Sequence, residues 1–91
     1  MKNSIKFESL VYSNIKENSN KYYIIEIIEE DSIYSLILRY GRLGKVPQIK
    51  KEEGTEKFLI GKYNKKISDL LKKGYKKAPL EIIINNNGEF L

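Results

Sequence analysis

The sequence predicts an α+β fold: an antiparallel sheet of about four to five strands with one α-helix packed on one face. Three observations carry this. In the first half, four short segments read as strands: two alternate apolar and polar residues, the two-residue period of a strand, and one is aromatic and β-branched on both faces. From Thr55 onward the apolar spacing changes to three and four, the period of a helix resting on a sheet. Clusters of Asn, Gly and acidic residues punctuate the segments where the chain must turn.

Residues 5–13 alternate loosely and read as a first strand, and Ser13-Asn14 and Asn18-Ser19-Asn20 flank a polar connection with turn chemistry. Residues 21–28 (KYYIIEII) are aromatic and β-branched on both faces, which suits a central strand. An acidic turn, Glu29-Glu30-Asp31-Ser32, follows. In residues 33–40, Tyr34, Leu36, Leu38 and Tyr40 share one face, while Ser35, Ile37 and Arg39 share the other. Residues 46–51 form a fourth strand, which Pro47 confines to a strand start or an edge because proline has no N–H.

Between Thr55 and Lys73, Leu59, Ile60, Tyr63, Ile67, Leu70 and Leu71 trace one helical stripe. Thr55 is a suitable N-cap, and Glu52, Glu53 and Glu56 complement the positive end of the helix dipole. Lys72 and Lys73 lie in the last turn, with Gly74 as the C′ residue. Gly61 within the helix costs about 1 kcal/mol relative to Ala, and Phe58 falls on the polar side. That side also carries Lys57, Lys62, Lys65, Lys66, Lys72 and Lys73, against the single acid Asp69. Beyond Pro79, residues 80–84 read as a short last strand and residues 85–91 as a frayed tail. One domain is expected over residues 1–91, with its core at about 5–84.

A chain of 91 residues has room for one small domain that buries roughly 60–65% of its unfolded surface. Cysteine and histidine are both absent, which removes disulfides, Cys/His zinc sites, thiol nucleophiles and Ser-His-Asp triads. Glu29, Glu30 and Asp31 read as a solvated turn, and Glu52-Glu53 as dipole compensation. The chain is therefore expected not to be an enzyme and to carry no cofactor or metal. No secretory signal is visible and no apolar run nears the ~20 residues of a membrane span, so a monomeric, cytoplasmic protein without membrane contact is expected. The net charge of +5 points to a polyanionic partner.

The densest chemistry lies in Arg39-Tyr40-Gly41-Arg42-Leu43-Gly44-Lys45. Arg and Lys neutralise phosphates, a ring stacks on a sugar or base, and glycines let backbone N–H groups approach closely. The same composition also makes an ordinary hairpin turn carrying solvated cations.

Residues 18–31 (NSNKYYIIEIIEED), the Arg39–Lys45 loop, the helix and Lys73-Gly74-Tyr75 together resemble, in order and spacing, the WGR domain. That family is named for a Trp-Gly-Arg motif and occurs in DNA-damage-activated poly(ADP-ribose) polymerases and in small bacterial proteins. The likeness runs from about residue 18 to residue 82. It implies a stand-alone, non-catalytic module that contacts the backbone or strand ends of nucleic acid, DNA rather than RNA. The motif aromatic, which in the polymerases packs on a sugar near a strand end, corresponds to Tyr40; the motif Arg, which contacts the backbone, corresponds to Arg42. Asn18 and Asn20 correspond to an Asn-rich strand start near the DNA, and Lys21, Arg39, Gly41, Gly44 and Lys45 complete the expected site. Tyr40 departs from the motif Trp, which reduces stacking area and exchanges an indole N–H for a hydroxyl. The polymerases' catalytic and helical regulatory domains have no counterpart here, so ADP-ribosylation is not implied. A protein-docking role without nucleic acid is the competing expectation. The acids Glu26, Glu29, Glu30 and Asp31 decide between the two by whether they surround the loop.

Overall fold

Four long strands carry the chain through its first half, each hydrogen-bonded to the next. The computed structural model describes residues 1–87. In chain order the elements are β1 (Lys2–Asn14), β2 (Ser19–Glu30), β3 (Ile33–Arg42), β4 (Gln48–Gly54), α1 (Glu56–Lys72), β5 (Lys76–Lys77) and α2 (Leu80–Asn87). The strands form one antiparallel sheet in the order β4-β3-β2-β1-β5, an α+β architecture.

Strand β2 is apolar on both sides because both sides are covered. On one face Ile25 and Ile27 join Leu10 and Leu36 beneath Leu59, Tyr63 and Leu70 of α1. On the other, Tyr22 and Ile24 pack on Ile83 of α2, flanked by Val11, Leu43 and Leu80. Each such buried side chain contributes about 1.5–3 kcal/mol relative to exposure. The turn into β3 puts Asp31 (φ 53°) and Ser32 (φ 68°) in the left-handed region, as two-residue hairpin loops of the right twist require. The Glu29 carboxylate accepts from Ser32 N–H (2.9 Å) and Asn3 Nδ2 (3.1 Å), and these bonds hold its pKa below the ordinary range.

Helix α1 starts where its cap dictates: the Thr55 hydroxyl accepts from Phe58 N–H at 3.2 Å. It ends at Lys72, and Gly74 (φ 101°) turns the chain away just past the Lys73 cap, where Gly74 N–H reaches Leu71 O and Tyr75 N–H reaches Leu70 O. A Cβ on Gly74 would lie 3.2 Å from the Tyr12 ring. Glycine thus both makes this turn and lets Tyr75 approach β1.

The last expected strand is instead a helix. Residues 80–84 begin α2, whose first turn forms when Ile82 N–H donates to Pro79 O. Leu80 and Ile83, three apart, face Tyr22 and Ile24, so covering this sheet face outweighs the β-preference of three successive isoleucines. The β1 edge is taken by Lys76–Lys77, paired with Leu10 and Val11, where Ala78 N–H donates to Ser9 O at 3.0 Å. The fourth strand also begins later than expected, at Gln48 just after Pro47. Of the expected tail, residues 85–87 belong to α2, and residues 88–91 lie outside the described residues.

Tyr22 is fully buried and its hydroxyl has no hydrogen-bond partner among the described residues. An unsatisfied buried hydroxyl costs about 1–3 kcal/mol, so Tyr22→Phe should raise stability in urea by about 1 kcal/mol at neutral pH. Burial also raises the Tyr22 pKa above 10.0. The folded state therefore loses stability as pH climbs past the unfolded chain's value, and the gain from Tyr22→Phe should grow above that pH. An unchanged or lower midpoint for the variant would contradict this account.

Candidate nucleic-acid interface

The antiparallel register gathers distant residues at one end of the sheet. Lys21 of β2 lies opposite both Tyr12 of β1 and Arg42 of β3, and Tyr23 lies opposite Tyr40. Strand alternation sets Tyr12, Lys21, Tyr23, Tyr40 and Arg42 on the α1 face, and Arg39 and Gly41 on the other. The rings then form a connected run. Tyr40 stacks on Tyr23 with centroids 5.0 Å apart, Tyr23 meets Tyr75 edge-on at 5.7 Å, and Tyr75 meets Tyr12 at 5.5 Å. Three lysine ammoniums approach this run: Lys50 lies 5.8 Å from the Tyr40 centroid, Lys66 4.9 Å from Tyr23 and Lys21 5.9 Å from Tyr12. Each such contact is worth about 0.5–1 kcal/mol at an exposed site. Beside the run, Tyr12, Glu17, Lys21, Lys73 and Tyr75 line a cavity of about 310 Å³. Burial, with Tyr23 and Tyr12 adding to it, raises the Tyr75 pKa above its ordinary value.

The loop after β3 is tied to the β1–β2 connection. Arg42 Nη2 donates to Asn18 O at 3.2 Å and Leu43 N–H to Asn20 O at 3.0 Å. Lys45 N–H closes the turn onto Arg42 O at 3.1 Å, with Gly44 at φ 84° in the left-handed region. Asn18 itself has a positive φ of 49°, which Asn tolerates better than most side chains. Asn20 Oδ1 accepts from Ser13 Oγ at 2.8 Å, an arrangement that leaves its amide N–H groups for another acceptor. Asn18, Asn20, Lys21, Tyr40 and Arg42 are thus brought together, with Gly44 and Lys45 in the connecting turn and Gly41 within β3 opposite Tyr22.

Arg39 does not join them. It sits on the opposite sheet face, 3.5 Å from the Glu26 carboxylate. Glu29 follows Lys21 by eight positions along β2, and at about 3.4 Å per residue the acidic turn lies ~27 Å from the cations. That exceeds three screening lengths of about 8 Å at physiological salt. Glu17 is the one acid lining the cavity. Of the helix lysines, Lys66 and Lys73 reach this end, whereas Lys62 pairs with Glu52 at 2.6 Å.

The sequence reading overlooked Tyr23 and Lys50 as neighbours of Tyr40, and Tyr12 and Lys66 as members of the same ring run. Their relation is one of register and helix docking, and the sole hint in the chain was the recurrence of tyrosine.

The WGR domain family model matches residues 8–81. Among curated proteins, the chain is 45% identical over 42 residues to protein mono-ADP-ribosyltransferase PARP3 of Mus musculus, a match covering 46% of this chain and 8% of that one. No solved structure gives a significant match.

If the Tyr23–Tyr40 stack is an energetic unit, removing the two rings together should cost less than the sum of the single losses. A double-mutant cycle of Tyr23→Ala and Tyr40→Ala in urea is expected to give a coupling of about 0.5–1.5 kcal/mol. Strict additivity would mean that the rings merely lie near one another.

Proposed function

This chain belongs to the WGR domain family, and from that premise we propose that it is a non-catalytic module that grips nucleic acid by its backbone at the Tyr40–Arg42 end of the sheet, with DNA strand ends preferred over intact duplex and over RNA. A WGR domain is a binding module rather than a catalytic one. The observation that carries the reading is the common location of Lys21, Arg42, Tyr40 and the two asparagines on one end of the sheet, with the acidic turn ~27 Å away by the rise of β2. Arg42 keeps guanidinium donors beyond the one given to Asn18 O, and Arg presents five donors in a fork suited to phosphate. Lys21, across the strand pair, supplies a second positive charge. The asparagine amides donate to phosphate oxygens or sugars without reading sequence.

Tyr40 takes the role of the motif aromatic with one restriction. One ring face is already stacked on Tyr23 and the Lys50 ammonium lies 5.8 Å from the same ring centroid on the β4 side, so a sugar or base is left the edge, or the outer face once Lys50 swings aside. The stack compensates in rigidity: a ring held by its neighbour loses little freedom when a ligand arrives. The Tyr12–Tyr75 cavity, with Lys21 and Lys73 on its wall, extends the surface from Tyr40 along the ring run. Arg39 is left out of the grip because it faces the other way and is paired with Glu26.

Anisotropy titrations with nicked, blunt-ended and closed-hairpin DNA test this reading. Four phosphate contacts give a log–log salt slope of roughly −3 to −4. Arg42→Ala and Lys21→Ala should each weaken binding about 10-fold and flatten the slope by about 1, while Arg39→Ala stays within about twofold because surface pairs contribute little. Affinity indifferent to salt, or an Arg39→Ala loss equal to that of Arg42→Ala, would sink the proposal.

A further inference from the structure

A second surface lies on the flank of α1 that faces the β4 edge of the sheet. Thr55, Lys57, Phe58, Gly61, Lys62 and Lys65 line a shallow groove of about 620 Å³. Phe58 is 54% exposed, a large ring left in water on the polar side of an amphipathic helix. Glycine lies on both sides of it. A Cβ on Gly54 would come within 3.2 Å of the Phe58 ring, so Gly54 provides the space on which the ring rests. A Cβ on Gly61 would meet nothing within 4 Å. Gly61 therefore has no packing reason to be glycine, yet glycine weakens a helix interior relative to alanine. What it does is leave an open depression beside Phe58, one turn along the same stripe.

Charge frames this depression. Lys62 is held by Glu52 and lies 5.2 Å from the Phe58 centroid. Lys57 and Lys65 have no carboxylate within ion-pair distance among the described residues. We propose that this groove docks an acidic protein segment carrying one aromatic or branched aliphatic anchor, with the anchor on Phe58 in the space left by Gly61 and flanking carboxylates on Lys57 and Lys65. A second copy docking groove to groove is a poor occupant, because its lysine rim would meet an identical rim. A nucleic acid is also disfavoured: two uncommitted cations beside a carboxylate do not track a continuous phosphate chain. The groove uses the α1 flank beside Gly54 and Glu52 and the tyrosine run uses the Tyr40–Tyr75 end of the sheet, so this site does not depend on the nucleic-acid reading.

The test uses the ¹⁵N-labelled protein and a panel of acidic nonapeptides of Asp and Glu with Trp, Phe, Leu or Ile at the centre. A Gly-centred peptide and a ten-residue oligothymidine serve as comparisons. At least one anchored peptide should shift amides within residues 54–65 and bind about 10-fold tighter than the Gly-centred one. Gly61→Ala should raise Tm by several degrees, as removing a helix-interior glycine does, yet weaken that peptide at least fivefold. Lys65→Glu should weaken it further. Several outcomes would overturn the proposal: no anchored peptide exceeding the Gly-centred one, shifts confined to the Tyr40–Arg42 end, the oligothymidine shifting residues 54–65 equally, or Gly61→Ala leaving affinity unchanged.

Discussion

Everything in this fold depends on β2 being buried on both faces and paired on both edges. Tyr22, Ile24, Ile25, Ile27 and Ile28 are all buried within one strand, which fixes its register against β1 and β3. A slip by one residue would exchange Ile25 and Ile27 with the residues now facing α2. It would also part Lys21 from Arg42 and Tyr23 from Tyr40. The candidate site is therefore a by-product of core packing: the isoleucines in the middle of β2 set the alignment of the cations and rings at its end.

Much of the fold could be read from the chain because its local signals agree. The alternation in β3, the two-sided apolarity of β2, and the Thr55 cap and Gly74 stop of α1 each point to the state they adopt. Disagreement arose where a tertiary demand overrode local preference. Residues 80–84 have the composition of a strand, but a helix presents Leu80 and Ile83 together to cover Tyr22 and Ile24. Nothing in Lys76–Lys77 marks a strand, since this two-residue pairing exists only because the Gly74 turn returns the chain to β1. The site was partly legible for the same reason. Strand alternation already separated Arg39 from Tyr40, whereas the proximity of Tyr12, Tyr23, Tyr75 and Lys66 needed the register and the seating of α1.

Net charge alone carried little weight, and placement carried more. The +5 total is spread over a molecule whose hairpin turns differ in sign. The β2–β3 turn holds Glu29, Glu30 and Asp31, while Lys21 and Arg42 lie at the other end of the same strands. Screening makes these ends nearly independent for a small ligand. A long polyanion would feel both, and would be oriented with its backbone across the basic end and away from the acidic turn. The strand-end preference in the proposed function rests on this orientation, because a partner that ends at the basic end avoids the acidic turn.

The tyrosine run has a structural role whatever it binds. Tyr23 and Tyr75 pack against the α1 core cluster, so their rings stabilise the fold as well as shape the surface, and losing either would lower stability and disturb the site at once. Arg42 and Lys21 are different. Both are exposed, neither belongs to a core cluster, and the Arg42 side chain donates to a backbone carbonyl, that of Asn18. Surface changes of that kind usually alter stability by no more than about 0.5 kcal/mol. The two roles can therefore be separated: a loss of binding on removing either cation speaks to recognition, whereas a loss on removing a ring speaks to recognition only after the change in folding has been subtracted. The substitution of Tyr for the motif Trp is to be judged in that light. A smaller ring that stacks on Tyr23 retains its place in the packing, and under the proposed function what it exchanges is contact area for the nucleic acid.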